Sequence, residues 1–212
     1  MSLRSTLRAR KKPVQSRSAH TVGAIYDACI QVLIEVGVER LTTTRVAERA
    51  GVSVGTLYQY FPHKHALLAA VLERHLLLVV ESTEQACREN QGRTVHEIAA
   101  ALVDACLRAK FADADASRAL YAVAPTVGGD ELVTRLTQRG QIVLCEVLAT
   151  ASDRSFDQLA TVSYVLTTAL IGPIQGLLTS NAPPAAVEAV RTQLSVMLGA
   201  YLAAVGSPRG AS

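Results

Sequence analysis

Tryptophan is missing from this sequence, and the other aromatics are few: six Tyr and three Phe in 212 residues. A core cannot rest on large rings here, so it must be aliphatic. Half of the residues are hydrophobic, with Ala, Leu and Val dominant, which is ample material. Glycine and proline are sparse outside a few punctuation points, and no alternation of apolar and polar residues stands out. Strand-built folds find no support, and the helical period points to an all-α chain of one or two domains. Charged residues are also scarce, at 18% against about 25% in ordinary soluble domains. Buried helix–helix contacts, a subunit interface among them, account for such a deficit.

Other absences remove whole functional classes. The four cysteines, Cys29, Cys87, Cys106 and Cys145, show no CxxC spacing and fall in helical apolar patterns. They read as buried, reduced thiols. His63 and His65 are two positions apart, hence on different sides of a helix, and neither a metal nor a cofactor is expected. "DADAS" (113–117) lacks the glycine and closing Glu of a calcium loop and reads as a turn. The most apolar stretch, "VLTTALIGPIQGLL" (165–178), is interrupted by Thr, Gly, Pro and Gln, short of the roughly 18 uninterrupted apolar residues of a membrane span. The segment after the basic N-terminus carries Asp27 and Glu35, which argues against a signal peptide. A cytoplasmic protein without a membrane partner is expected. No activated nucleophile pair, metal set or Gly-rich phosphate loop is present, so no catalytic residue is named and an enzyme is not expected.

No acid occurs before Asp27. Residues 1–80 carry 11 Lys/Arg against 5 Asp/Glu, a balance of +6, whereas residues 81–212 carry 10 against 13, a balance of −3. The cations are densest in "RSTLRARKKPVQSR" (4–17), which includes Arg8, Arg10, Lys11 and Lys12. A basic end on a mildly acidic remainder points to nucleic acid at one end only; on charge alone, a solubilising tail remains the alternative.

Residues 1–17 read as a disordered basic arm. A first helix is predicted at 18–36, ended by Gly37, a second at 43–50 capped by Thr42, and a third at 54–61 capped by Ser53. A long fourth runs from His63 to Glu89. Thr94 and Glu97 form a capping box for a fifth, to Lys110. A sixth covers 116–123, before Pro125. Asp130 caps a seventh to Ala151, Ser155 and Gln158 box an eighth over 156–180, and "NAPP" (181–184) opens a ninth to Val205. Residues 206–212 read as a frayed tail. The domains expected are 18–62 and 63–205.

Three of the nine aromatics crowd into "GVSVGTLYQYFPHK" (51–64): Tyr58, Tyr60 and Phe61. On a helical wheel Val46, Ala47 and Ala50 share one side of the second helix. Leu57 and Phe61, i and i+4, point inward from the third, with Gly55 and Gln59 opposite them. Thr56 and Tyr60 line one flank and Tyr58 the other. Two short helices joined by a Gly-containing turn, the second with an exposed face of small and polar residues, describe a helix-turn-helix.

The stretch "LTTTRVAERAGVSVGTLYQYFPHKHALLAAVL" (41–72) resembles the DNA-binding segment of TetR/AcrR-like transcriptional repressors. The pattern S-x-G-x-L-Y-x-x-F-x-x-K is complete at Ser53, Gly55, Leu57, Tyr58, Phe61 and Lys64. The resemblance is at motif level over about 18–72 and architectural beyond. It implies that Thr43 and Thr44 open the supporting helix against the DNA backbone. Val54, Gly55, Thr56 and Gln59 then approach base edges in the major groove, while Ser53, Tyr58, Tyr60 and Lys64 hold phosphates. Arg45 stands where many members carry an acid, which adds a phosphate contact. His63 stands where a small capping residue is common, so the fourth helix is expected to start less firmly.

The resemblance also implies a C-terminal domain that binds a small molecule and pairs two copies through the last two helices. The ninth helix offers Val187, Val190, Leu194, Leu198, Tyr201 and Leu202, a stripe too long for a small monomer to bury easily. The eighth offers Leu170 and, one turn apart, Gly172 and Gly176. Pro173 should kink or break that helix by its clash with the carbonyl of Ala169. A ligand pocket is expected among helices four to eight, with Cys106, Phe111, Arg118, Tyr121, Tyr164 and Gln175 as candidates and an amphipathic or aromatic acid as ligand. The expected function is a homodimeric regulator of a palindromic double-stranded operator, released by a small molecule. An architectural DNA-binding protein without effector is the alternative.

The basic arm generates a test. DNA affinity should fall with salt at a log–log slope of about −4 to −8 for two subunits. Deleting residues 1–17 should weaken binding to every sequence and make the slope shallower, with helicity and self-association unchanged. Equal binding by the truncated and full chains would make the arm a mere tail.

Overall fold

Most of the start and stop signals become caps and breaks. In the computed structural model, which describes residues 16–209, α1 (Ser16–Arg40) is interrupted at Gly37, whose φ of 74° is left-handed. Then follow α2 (Thr43–Arg49), α3 (Val54–Tyr60), α4 (Lys64–Glu89), α5 (Val95–Phe111) and α6 (Ala114–Val123). A 3-10 turn (Ala124–Val127) leads to α7 (Gly129–Ala149), α8 (Leu159–Thr179) and α9 (Pro184–Val205). The described residues are thus almost wholly helical, as expected. Thr42 caps α2, accepting from the Arg45 N–H at 3.3 Å. The capping box opens α5: Thr94 N donates to Glu97 Oε2 at 2.9 Å and Glu97 N to Thr94 Oγ1 at 3.4 Å. The Thr94 N–H, joined by the Thr94 hydroxyl at 2.8 Å, lowers the pKa of the Glu97 carboxyl.

Several expectations are corrected. His63 caps α4 firmly, its Nδ1 accepting from the Ala66 N–H at 3.1 Å. "DADAS" is not a turn; α6 begins at Ala114, and Arg118 pairs with Asp115 at 2.7 Å along it. Asp130 lies inside the first turn of α7, where its charge suits the helix dipole without capping. Ser155 and Gln158 form no capping box: Ser155 belongs to a short strand, β1 (Arg154–Ser155), and Gln158 makes no side-chain bond to α8. Residues 207–208 are not frayed either, since β2 (Ser207–Pro208) pairs antiparallel with β1. α8 runs through Pro173 without a break.

The chain forms two compact units, divided otherwise than at residues 62 and 63. One takes the chain up to Leu76 together with Asp115–Val133, and the other takes Leu77–Ala114 with everything from Thr134. The reason lies in the first unit's core. α1 contributes Ile25, Cys29 and Leu33, α2 Val46 and Ala47, α3 Leu57, and the start of α4 Leu67, Leu68 and Val71. Leu120, Val123 and Val127 complete the same cluster from α6 and the turn after it. In the second unit α5 packs along α9. Asp104 of α5 pairs with Arg191 of α9, and buried Ala99, Val103 and Leu107 share that side of α5. The crossing is close at Gly199, where a Cβ would come within 2.8 Å of the His96 ring. Glu84, almost fully buried, accepts two bonds from Arg139 at 2.6 and 2.8 Å and so ties α4 to α7. The carboxylate in turn raises the Arg139 pKa.

Two helices, Ser18–Arg40 and Leu159–Thr179, are long and apolar enough to cross a membrane by length and composition. Each buries a face in its own unit, and α1 carries two ion pairs, Asp27–Arg74 at 3.1 Å and Glu35–Arg49 at 2.5 Å.

The thiols yield a prediction. All four are free; Cys29, Cys87 and Cys106 are buried and Cys145 is half-buried. Burial pushes Cys29 up to about 12 and Cys87 and Cys106 up to about 11. Thiol titration at pH 8 should therefore find no more than Cys145 in the native protein and all four after denaturation. Rapid reaction of two or more in the native state would contradict this packing.

Candidate nucleic-acid interface

Gly51, with φ 66°, makes the turn between α2 and α3. Its neighbour Val52 donates from its N–H to the Ala47 carbonyl at 3.0 Å. Val46, Ala47 and Leu57 are fully buried, and Phe61, the residue that ends α3, is 1% exposed. The Phe61 ring packs against Tyr26 of α1, tilted by 47° with centroids 5.7 Å apart. This anchoring fixes the rotation of α3. Gly55, Tyr58 and Gln59 are left exposed, with Val54 and Thr56 half-exposed beside them. The wheel orientation of Leu57, Phe61, Gly55 and Gln59 is thus the one observed.

Hydroxyls organise the outward side. Ser53 Oγ accepts from the Thr56 N–H at 3.0 Å and lies 2.9 Å from Thr56 Oγ1. Tyr58 OH lies 3.0 Å from Thr43 Oγ1, so one exposed hydrogen bond joins the first residue of α2 to the middle of α3. Thr44 and Arg45 are exposed beside it, and the Arg45 guanidinium has no ion pair among the described residues. Gly55 has a helical backbone, and a Cβ there would meet only Ser53 Oγ at an ordinary 3.7 Å. Nothing among the described residues requires a glycine at this position.

Two residues stand differently from expectation. Tyr60 is half-buried against the core, 6.4 Å from the Phe61 ring, and its hydroxyl meets Ser18 Oγ at 3.1 Å. It does not flank the open face as Tyr58 does. Lys64 donates to the Val38 carbonyl at 2.5 Å, across the break at Gly37. Its ammonium already serves to tie the end of α1 to the start of α4. The partners that sequence reading missed, Ser18 for Tyr60 and Val38 for Lys64, lie 42 and 26 positions away. No local spacing signals such pairs. The arm residues Arg8, Arg10, Lys11 and Lys12 lie outside the described residues.

The remaining candidates are dispersed. Cys106 is buried and Phe111 half-buried on α5, while Arg118, paired with Asp115, and half-buried Tyr121 belong to the other unit. Tyr164, 61% exposed, and Gln175 face solvent. On α8 they lie on the exposed side, as do Ile171 and Gly172. They therefore do not line an interior. Leu170, Leu194 and Leu198 are at most 4% exposed within the single chain, so they are core and not an open subunit face. Val190 and Tyr201 are half-buried. Among the described residues no three His, Cys, Asp or Glu are grouped to hold a metal ion.

Two family models match the chain. "Bacterial regulatory proteins, tetR family" covers residues 25–71, the α1–α4 region just described, and "Tetracyclin repressor-like, C-terminal domain" covers residues 94–202, about half of the sequence. The chain belongs to the tetR family of bacterial regulatory proteins. Its curated relatives align over about a third of the chain. The HTH-type transcriptional repressor KstR of Mycolicibacterium smegmatis is 42% identical over 62 residues, 29% of this chain and 30% of that one. The nucleoid occlusion factor SlmA of Haemophilus influenzae is 37% identical over 73 residues, 33% of each. The chain thus spans about a third of the length of these relatives. Solved structures extend the likeness of fold to nearly the whole chain. The fatty acid degradation regulator FadR of Bacillus halodurans superposes with a TM-score of 0.69 at 19% identity, covering 89% of this chain and 96% of that one. A TetR-family transcriptional regulator of Streptomyces coelicolor does so with 0.58 at 24% identity, covering 87% and 99%.

Tyr58 and Phe61 make opposite demands of one short helix. Tyr58→Phe should cost about 1 kcal/mol or more of DNA affinity, with a small change in stability, because it removes an exposed hydroxyl. Phe61→Ala should destabilise the domain by about 3–5 kcal/mol. Denaturant titration alongside DNA-binding isotherms checks both, and exchanged effects would mean that α3 presents another face.

Proposed function

We propose that this tetR-family protein is a homodimeric repressor that binds a palindromic operator and leaves it when a small molecule binds. The observation that carries this reading is the open side of α3, where Gly55, Thr56 and Gln59 lie between the capped helix start at Ser53 and the Thr43–Tyr58 hydroxyl pair. A side chain-free Gly55 lets α3 approach base edges closely, Val54 offers an apolar contact such as a thymine methyl, and Gln59 offers a bidentate amide. Thr43, Thr44, Arg45, Ser53 and Tyr58 hold phosphates around it. Lys64 and Tyr60, already bonded within the chain, contribute through the placement of α4 and α1. The basic arm adds charge, and Arg8 or Arg10 adds contacts in the minor groove. The protein works in the cytoplasm, by binding and without turnover.

Pairing of two copies supplies the second α3 at about 34–36 Å, one turn of DNA. The exposed apolar residues of the last two helices support this pairing: Val165 and Ile171 around the open Gly172 and Gly176 on α8, and Val196 and Met197 on α9. The effector belongs to the C-terminal part, with Cys106 and Phe111 on α5 as the candidates there; an amphipathic or aromatic acid is the ligand proposed. The match to a nucleoid occlusion factor favours the architectural alternative, but it spans only about a third of the chain, as does the match to a repressor. The C-terminal model, described as tetracyclin repressor-like, favours an effector.

Titrating the protein–operator complex with small apolar and aromatic acids tests the reading. A hundredfold release requires about 2.7 kcal/mol of coupling, and by linkage the operator must weaken ligand binding by the same factor. Stoichiometric ligand binding with equal affinity in the presence and absence of operator would defeat the repressor mechanism. Operator binding that no ligand in the series alters would leave the architectural reading as the better one.

A further inference from the structure

α8 and α9 form a helical hairpin, connected at one end by residues 180–183. The opposite end is closed as well. β1 lies just ahead of α8 and β2 just after α9, and they pair with Arg154 opposite Pro208 and Ser155 opposite Ser207. A ladder of two residues is not stable alone, and here it is held from several sides. Arg154 Nε donates to the Ala203 carbonyl in the last turn of α9 at 3.2 Å, and Arg154 Nη1 donates to the Asp153 carbonyl at 2.9 Å. The same Asp153 carbonyl receives the Arg209 N–H at 3.1 Å. Arg209 Nη2 donates to the Ala149 carbonyl, the last of α7, at 2.6 Å. The Asp153 carboxylate accepts from the Val95 N–H, the first of α5, at 2.9 Å. Gly206 is seated so tightly that a Cβ would stand 2.9 Å from Phe156 and 3.0 Å from both Arg154 Cβ and the Leu202 carbonyl.

We infer that residues 206–209 are a clasp that sets α8 against α9 and thereby governs the pairing of two copies. This rests on the two-copy reading above. The main packing partner of α9 is α5, and α8 meets α9 through a smaller contact, so the setting of α8 against α9 depends on the ends of the hairpin as well as on their shared core. A self-complementary surface needs Val165 and Ile171 on α8 in fixed relation to Val196 and Met197 on α9, because each copy must present both halves in register to the other. Closing the open end of the hairpin supplies that relation before the copies meet, which spares the ordering cost at association.

Sedimentation equilibrium and circular dichroism on four proteins test the clasp: the full chain, a chain lacking residues 206–212, Gly206→Val and Arg209→Ala. The full chain should be dimeric. The deletion and Gly206→Val should raise the dimer dissociation constant at least about tenfold, the equivalent of about one net hydrogen bond. Arg209→Ala, which leaves the backbone intact, should raise it about threefold. Helicity should be unchanged in all three. A dimeric full chain with the same dissociation constant in every variant would overturn the clasp and leave the two-copy reading standing. A full chain that stays monomeric at every concentration would remove both. If the deletion or Gly206→Val lost helical signal, Arg209→Ala would decide, an unchanged dimer constant counting against the clasp.

Discussion

The burial of Phe61 at the end of α3 is the constraint on which the recognition surface depends. A seven-residue helix has no stability of its own, and its direction comes from the two side chains it buries, Leu57 and Phe61. Once these are seated against α1 and the start of α4, the positions of Gly55, Tyr58 and Gln59 follow from helical geometry alone. The hydroxyl bonds at Thr43 and Ser53 then lock what the core has oriented. Apolar burial sets the coarse placement and weak, exposed polar contacts refine it.

The same logic explains why α6 belongs with the N-terminal unit. Leu120, Val123 and Val127 share one cluster with α1 and α4, although some fifty residues of sequence separate them from Leu72. An element that is remote in sequence is thus a structural part of the DNA-reading unit. Any change in the α6 segment acts on that unit through packing and needs no bound partner to do so.

Much of this was legible in advance because it is local. Thr42, Ser53 and the Thr94–Glu97 box are capping signals that act within three residues, and each caps its helix as read. The alternation of Leu57 and Phe61 with Gly55 and Gln59 is equally local. What misled was the assumption that local patterns keep local partners. Ser155 and Gln158 have the spacing of a capping box, but tertiary pairing with Ser207 takes Ser155 into a strand. The apolar stripe of α9 resembles a subunit face because a sequence does not display the tertiary packing that buries Leu194 and Leu198. Tyr60 and Lys64 fit a phosphate-binding pattern, yet their partners Ser18 and Val38 are set by the packing of α1, which no spacing within residues 51–64 encodes.

Gly55 sits in a helix where the surrounding atoms would accept a methyl group without displacement. In an exposed helix alanine is favoured over glycine by about 1 kcal/mol. The intact fold would therefore gain from Gly55→Ala, while on the proposed reading the surface that α3 offers to the groove would become thicker. Stability and recognition are in opposition at this one position. A variant library sorted only for thermal resistance would enrich the alanine and discard the protein's access to the groove, whereas the opposite sorting would return a less stable chain. On that reading the glycine gives up stability for close approach.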